Sequence, residues 1–146
     1  MNINVLLRAD KIKFMKEGKK TSLSTVKLAL DAVQKKEKSL QRPLTEEEEI
    51  ETIQTMVKQG KEELKYAYEA KREEKIEESL TAIMLLESYL PLQLTLDELE
   101  NIITDTINET EESSRKIGTI MKSVIEKTKG KADKQIISSL VKNLLN

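Results

Sequence analysis

The sequence contains neither cysteine nor histidine, and these two absences restrict its chemistry. Without these side chains there is no thiolate nucleophile, no imidazole general base and no zinc site built from Cys and His. A glycine-rich phosphate-binding loop is also missing. The lack of cysteine excludes disulfides, which suits a reducing cytosol. The composition therefore disfavours catalysis, and we expect neither a metal ion nor another cofactor.

Aromatic residues, proline and glycine are scarce in the 146-residue chain: 3% of the residues are aromatic, and there are two prolines and four glycines. Charged residues, by contrast, make up 35%. This profile is typical of a helical protein with polar outer faces. No apolar run has the length of a membrane span, and residues 1–18 lack the apolar core of a signal peptide. We therefore expect a cytoplasmic protein that does not associate with membranes.

Apolar residues recur at three- and four-residue spacing through most of the chain, which predicts an all-α fold. About four such helices precede Pro91, and three follow it. Because proline disfavours helical geometry in the residue before it, we place the domain boundary at this point. The expected domains are residues 1–92, a multi-helical N-terminal domain, and residues 93–146, a three-helix C-terminal module.

Capping residues predict where several helices begin and end. Thr21 or Ser22 is expected to cap the second helix, and Asp133 the last one. Gly130 is expected to end the helix before the last, because a left-handed residue is favoured past a helix C-terminus. Two N-termini have the spacing of a capping box, in which a threonine is followed three residues later by a glutamate: Thr45 with Glu48, and Thr95 with Glu98.

Two further expectations concern the middle of the chain. Leu80 and Met84 are expected to point into the core from a fourth helix over residues 71–89, and the methionines in general are expected to fill the core. The run Glu46–Glu49 is interpreted as a solvated first turn that complements the helix dipole. Consecutive helical residues point in different directions, so this run does not predict a metal site.

Charge is strongly separated along the sequence, although the total is only −1. The segment Met1–Arg42 has eleven basic and four acidic residues, and Thr95–Glu112 has seven acidic residues and no basic one. The segment Ser113–Asn146 has eight basic residues and two acidic ones. Such patches, rather than the total charge, steer the approach of a charged partner.

The basic residues near the C-terminus lie on two amphipathic helices and on the turn that joins them. Lysine needs only charge and reach to contact a phosphate. The candidate nucleic-acid ligands are therefore Lys127, Lys129, Lys131, Lys134, Arg115 and Lys116. The alternative is that these lysines only maintain solubility. A second candidate patch consists of N-terminal lysines: Lys11, Lys13, Lys16, Lys19 and Lys20.

The residues of this turn also carry a family resemblance. The runs Ile117–Met121 and Lys129–Asp133 together resemble the signature of the YqeY and GatB-tail proteins. Leu44–Ile50 and Tyr89–Leu94 are similar to further segments of that family, so the resemblance covers nearly the whole chain. The sequence departs from the usual family pattern at Gly60, Leu92, Thr119 and Lys134.

This resemblance implies an all-α fold that ends in a GatB-tail-like module. It also implies a role beside the tRNA-dependent amidotransferases, which are carbon–nitrogen ligases that use glutamine as the amido donor. Since the GatB tail contacts tRNA, the resemblance implies tRNA as a ligand and an amidotransferase or another translation-related protein as a partner. The kinase-like and glutaminase parts of that enzyme system are missing from this chain, so we expect a non-catalytic accessory module. The competing hypothesis is a protein-interaction adaptor that has no RNA ligand.

Overall fold

The computed structural model describes residues 2–146, and within them the protein is all-α, as the sequence predicts. Seven α-helices and one short 3-10 helix make up the regular structure of these residues, which include no strand. Residue contacts divide the chain into two compact units, one ending at Leu90 and one formed by Pro91–Asn146. The domain boundary placed after residue 92 stays a prediction. None of the helices in residues 2–146 is both long enough and apolar enough to cross a bilayer.

The first unit is built from four helices: α1 (Ile3–Glu17), α2 (Lys20–Leu40), α3 (Glu46–Glu69) and α4 (Glu73–Ser88). Helix α2 contacts the other three, so its apolar stripe forms the centre of the core. Gly18 makes the turn from α1 to α2 with φ +67°, a left-handed conformation that glycine adopts without steric cost. The side chains that are completely buried in this core are Leu7, Val26, Ala29, Val33 and Ile53.

Helices α3 and α4 approach each other closely at Gly60. A Cβ atom placed on Gly60 would lie 3.0 Å from Cγ1 of Ile83, which is buried on α4. A glycine in a helix interior costs about 1 kcal/mol relative to alanine. The absence of a side chain at Gly60 lets the two helices pack closely against each other. This close packing explains why a glycine lies in the interior of α3.

The start of α3 confirms the predicted capping box. The Thr45 hydroxyl accepts a hydrogen bond from the Glu48 N–H (3.2 Å), and the Glu48 carboxylate accepts one from the Thr45 N–H (2.9 Å). The prediction that the whole glutamate run is solvated is wrong for Glu49. This side chain is buried, and its carboxylate accepts a hydrogen bond from the Asn4 N–H at 2.8 Å. The Glu49 carboxylate therefore satisfies a backbone N–H group in the first turn of α1 that has no partner within that helix, and it also lies in the first turn of its own helix.

Three other expectations for the first unit are wrong. Helix α2 begins at Lys20, earlier than Thr21 or Ser22 would set it, and Lys19 at its N-cap makes no side-chain capping bond. Leu80 and Met84 are exposed, Met84 by 73% of its surface, because α4 buries only Ile83 and Leu86. Met15 is exposed as well, so the methionines do not all fill the core.

Tyr89 ties the end of α4 to α1. Its side chain is buried, and its hydroxyl donates a hydrogen bond to the Asp10 carboxylate. Burial raises the pKa of the Tyr89 phenol, and the hydrogen bond to Asp10 and the charge of that carboxylate raise it further. The phenol therefore stays protonated and keeps this bond throughout the ordinary pH range.

The second unit contains three α-helices and the 3-10 turn: α5 (Leu96–Glu109), Glu112–Ser114, α6 (Ile117–Thr128) and α7 (Lys134–Leu145). Each α-helix contacts the other two. The predicted capping box at Thr95 and the predicted cap at Asp133 are both confirmed. The core contains two buried apolar residues from each helix: Leu99, Ile103, Ile120, Val124, Ile137 and Val141.

Candidate nucleic-acid interface

The turn between α6 and α7 is built differently from the prediction. Helix α6 ends at Thr128, and Lys129 itself takes the left-handed position past the C-terminus, with φ +42°. Gly130 follows with φ +82°, so it continues the turn and does not end the helix. The Lys131 N–H then donates to the Thr128 carbonyl at 2.9 Å, and Asp133 begins α7. The chain reverses within five residues, and the side chains of Lys129 and Lys131 are exposed on this turn.

The segment before α5 braces the turn. The Leu94 N–H donates to the Lys131 carbonyl at 2.8 Å, and the Gln93 side-chain amide donates to the Gly130 carbonyl at 3.1 Å. The same Gln93 amide group donates to the Pro91 carbonyl at 2.8 Å. The bonds to the Gly130 and Lys131 carbonyls join residues that are 37 positions apart, and no local pattern in the sequence indicates them. They fix the backbone from which Lys129 and Lys131 project.

Lys127 is used inside the second unit. Its ammonium group donates to the Thr106 hydroxyl and to the Glu109 carboxylate, both at 2.9 Å. Thr106 is buried, and its own hydroxyl donates to the Ile102 carbonyl at 2.7 Å. Lys127 therefore links α6 to α5, and its charge is partly balanced before any ligand arrives.

Arg115 and Lys116 lie at the other end of α6. The Arg115 side chain is half-buried, and its Nε–H donates to the Thr110 carbonyl at 2.9 Å. Lys116 is the N-cap of α6 and is exposed. The twelve residues of α6 span about 18 Å at 1.5 Å per residue. The structure thus separates the six candidate cations into two groups, with Lys127, Lys129, Lys131 and Lys134 at one end of α6.

The exposed members of the set are Lys116, Lys127, Lys129, Lys131 and Lys134, of which Lys127 forms an ion pair with Glu109. Within residues 2–146, no carboxylate lies in ion-pairing distance of Lys116, Lys129 or Lys131. Nor do these residues contain a group of three or more acidic side chains arranged to hold a metal ion. The chemistry that the turn offers is a pair of solvated ammonium groups on a braced backbone.

The comparisons with known proteins bear on the whole chain. The family model described as Yqey-like protein matches residues 5–145. The chain belongs to this family. A search of the curated proteins found no match. The family match thus confirms the YqeY resemblance of the sequence and covers both units of the structure.

In this YqeY-like protein the second basic patch follows α1 and the first turn of α2. Four of its five lysines are exposed, and Lys11 is half-buried. Lys19 lies 3.4 Å from the Glu17 carboxylate, and the Lys13 ammonium lies 5.8 Å from the centroid of the Phe14 ring. These are surface contacts of small energy. The patch stays a prediction, and it lies in a different unit from the α6–α7 turn.

Proposed function

We propose that this YqeY-like protein is a non-catalytic accessory module that binds tRNA through the turn between α6 and α7. In this proposal it acts beside the tRNA-dependent amidotransferase system, in which glutamine supplies the amido nitrogen. The resemblance of the turn to the GatB tail supports the choice of tRNA as ligand. The module itself carries out no chemical step. It contributes a binding surface to a translation-related partner.

The observation that carries the proposal is the state of Lys129 and Lys131. Both are exposed and have no carboxylate partner among residues 2–146, and both project from a backbone held by Leu94 and Gln93. A phosphate contact then costs little ordering of the backbone, and it requires no broken ion pair. Lys134 begins α7 next to the same turn and adds a third cation. Lys127 and Arg115 contribute less, since both already donate hydrogen bonds within the unit.

The test is a fluorescence titration of labelled bulk tRNA with the full chain over a range of salt concentrations. Each neutralised phosphate releases counterions, so the logarithm of affinity falls with the logarithm of salt by about 0.7 to 0.9 per contact. The double variant Lys129→Ala/Lys131→Ala should bind more weakly and flatten this slope by about 1.5. Circular dichroism should show unchanged helicity, because neither side chain packs in the core.

A matched control removes the same charge elsewhere. Lys61→Ala/Lys65→Ala changes two exposed lysines of α3, in the acidic middle of the sequence. This variant should keep nearly the full slope. An equal loss in both variants would mean that only net charge matters, and the proposed site would then be wrong. Salt-insensitive binding, or no binding to any tRNA, would contradict the RNA function as a whole.

A second candidate function is that of a protein-interaction adaptor. The observation that favours it is an apolar groove between α1 and α2 with two cations at its edge, Arg8 and Lys11. Such a groove suits a protein partner better than a nucleic acid, since it has apolar walls. A complex with a translation protein that survives nuclease treatment and moderate salt would favour this function over RNA binding.

A further inference from the structure

Helix α1 has a second side, with two apolar and two basic residues, that does not face the core. Arg8, Lys11, Ile12 and Met15 follow the spacing i, i+3, i+4 and i+7, which places them on one side of the helix. Ile12 and Met15 are exposed, and the buried residues of the helix (Ile3, Leu7 and Phe14) lie on another side. A helix with one buried stripe and one exposed apolar stripe has surface left for a further contact.

The exposed stripe forms one wall of a groove, and α2 forms the other. Leu30 is buried at the groove, and Gln34 is exposed beside it. Arg8 and Lys11 also line it, and neither has a carboxylate partner within residues 2–146. Both walls of the groove are helices, and their backbone N–H and C=O groups already bond to each other within each helix. An extended peptide therefore cannot bind here by pairing as a β-strand. The groove therefore selects apolar side chains accompanied by negative charge.

The second unit has an edge with this chemistry. Leu92 is 90% exposed just before α5, and Leu96 is exposed in the first turn of that helix. Asp97 follows Leu96 in the sequence, and Glu100 lies one turn after it on the same side of α5. Both acids are exposed and have no cationic partner among residues 2–146. No basic residue occurs between Pro91 and Ser114.

We propose that this acidic leucine edge of one copy binds in the α1/α2 groove of a second copy. Leu92 and Leu96 enter the groove beside Ile12 and Met15, while Asp97 and Glu100 face Arg8 and Lys11. Every copy carries both surfaces, so each chain of a complex can supply a groove and an edge. The charge arrangement makes the dimer weaken as salt is added. None of the lysines of the α6–α7 turn takes part in this contact, although Leu92 and Leu96 flank Gln93 and Leu94, which bond to that turn.

Sedimentation velocity of the full chain over a wide concentration range tests the proposal. The wild type should shift from 16.7 kDa towards twice that mass as its concentration rises, and less so at high salt. Ile12→Glu in the groove and Leu92→Glu at the edge should each weaken association by at least about tenfold. Leu28→Glu is the matched control, because Leu28 is an exposed leucine of α2 that does not line the groove.

Mixing the two damaged variants gives a stricter test. Each variant alone has no intact contact in its homodimer. A mixed dimer joins the intact groove of the Leu92→Glu chain to the intact edge of the Ile12→Glu chain. Where one substitution already abolishes a contact, only the mixture keeps an intact contact, and it should associate more tightly than either variant alone.

Three results would overturn the proposal. The wild type could stay at 16.7 kDa up to its solubility limit at low salt. It could dimerise with no response to Ile12→Glu or Leu92→Glu, or with an equal response to Leu28→Glu. It could also remain monomeric and bind phosphatidylglycerol vesicles in a manner lost on Ile12→Glu, which would make the groove a lipid-facing surface.

Discussion

Replacing Lys127 by alanine tests whether this lysine stabilises the second unit or binds the ligand. The change removes two hydrogen bonds from the ammonium group, to the Thr106 hydroxyl and the Glu109 carboxylate, each 2.9 Å long. Thr106 keeps its own bond to the Ile102 carbonyl at 2.7 Å, so no buried donor is left unpaired. The variant should therefore lose stability in the second unit without losing its fold.

The size of this loss follows from the exposure of the three groups. A hydrogen bond from a charged group to a buried hydroxyl contributes about 1.5–3 kcal/mol. The ion pair with Glu109 contributes at most about 1 kcal/mol, since the side chains are 40% and 68% exposed and solvent screens them. Because the Lys127 ammonium is itself partly solvated, we expect a total of about 1–2 kcal/mol. That loss lowers the melting temperature of a unit of this size by roughly 4–8 °C per kcal/mol.

The assay pairs a circular dichroism melt with a salt titration of tRNA binding. Lys127→Ala should melt lower and leave the salt slope nearly unchanged, whereas Lys129→Ala should do the opposite. Lys127→Met is a useful third variant, because it keeps the apolar stem and removes only the ammonium group. If Lys127→Ala leaves the melt unchanged and flattens the slope by a full contact, its role as a tie between α5 and α6 is refuted.

Three other substitutions test the packing and the caps. Gly60→Ala should lower the melting temperature, because the added methyl group would lie 3.0 Å from Cγ1 of Ile83 on α4. This loss is expected although alanine favours a helix by about 1 kcal/mol relative to glycine. Ile137→Asp should unfold the second unit, since this side chain is only 1% exposed, while Ile136→Asp at its exposed neighbour should be tolerated in the same melt. The hydrogen bonds of Arg42 and of the Thr45 N–H lower the pKa of Glu48 from 4.5 to about 2. The stability that this pair supplies is present above pH 4.5 and lost as the pH falls towards 2, so the deficit of Arg42→Ala should shrink over that range in acid titration melts.

The sequence predicted helix starts best where the signal is local. Thr45 and Thr95 each bond to a glutamate three residues away, and both boxes are present. The start of α2 was mispredicted, because a capping hydroxyl needs a helix that begins just after it, and the turn at Gly18 sets the start earlier. The residues around a helix start thus indicate a possible N-cap, but the position of the preceding turn determines whether the helix begins there.

The arrangement of the candidate cations depends on tertiary contacts that the sequence does not reveal. Lysines at 127 and 129 look alike in the sequence, yet one reaches Thr106 across the helix pair and the other projects from the turn. The bonds that Gln93 and Leu94 make to the turn cannot be predicted from the sequence either, since they join two loops that are distant in the chain. Charge patterns predict which segment is basic. They do not predict which cations the fold itself uses.

This distinction limits how strongly the proposed surface can depend on salt. All six cations of the C-terminal candidate set, acting together, would give a slope near −5 at about 0.9 per contact. Lys127 and Arg115 already donate hydrogen bonds within the second unit, Lys116 lies at one end of α6, and Lys129, Lys131 and Lys134 lie at the turn at its other end. A ligand that touches only the turn can therefore release counterions at no more than about three contacts, for a slope near −2 to −3. A measured slope much steeper than −3 would require cations from outside the turn, and the lysines of α1 would be the next to replace.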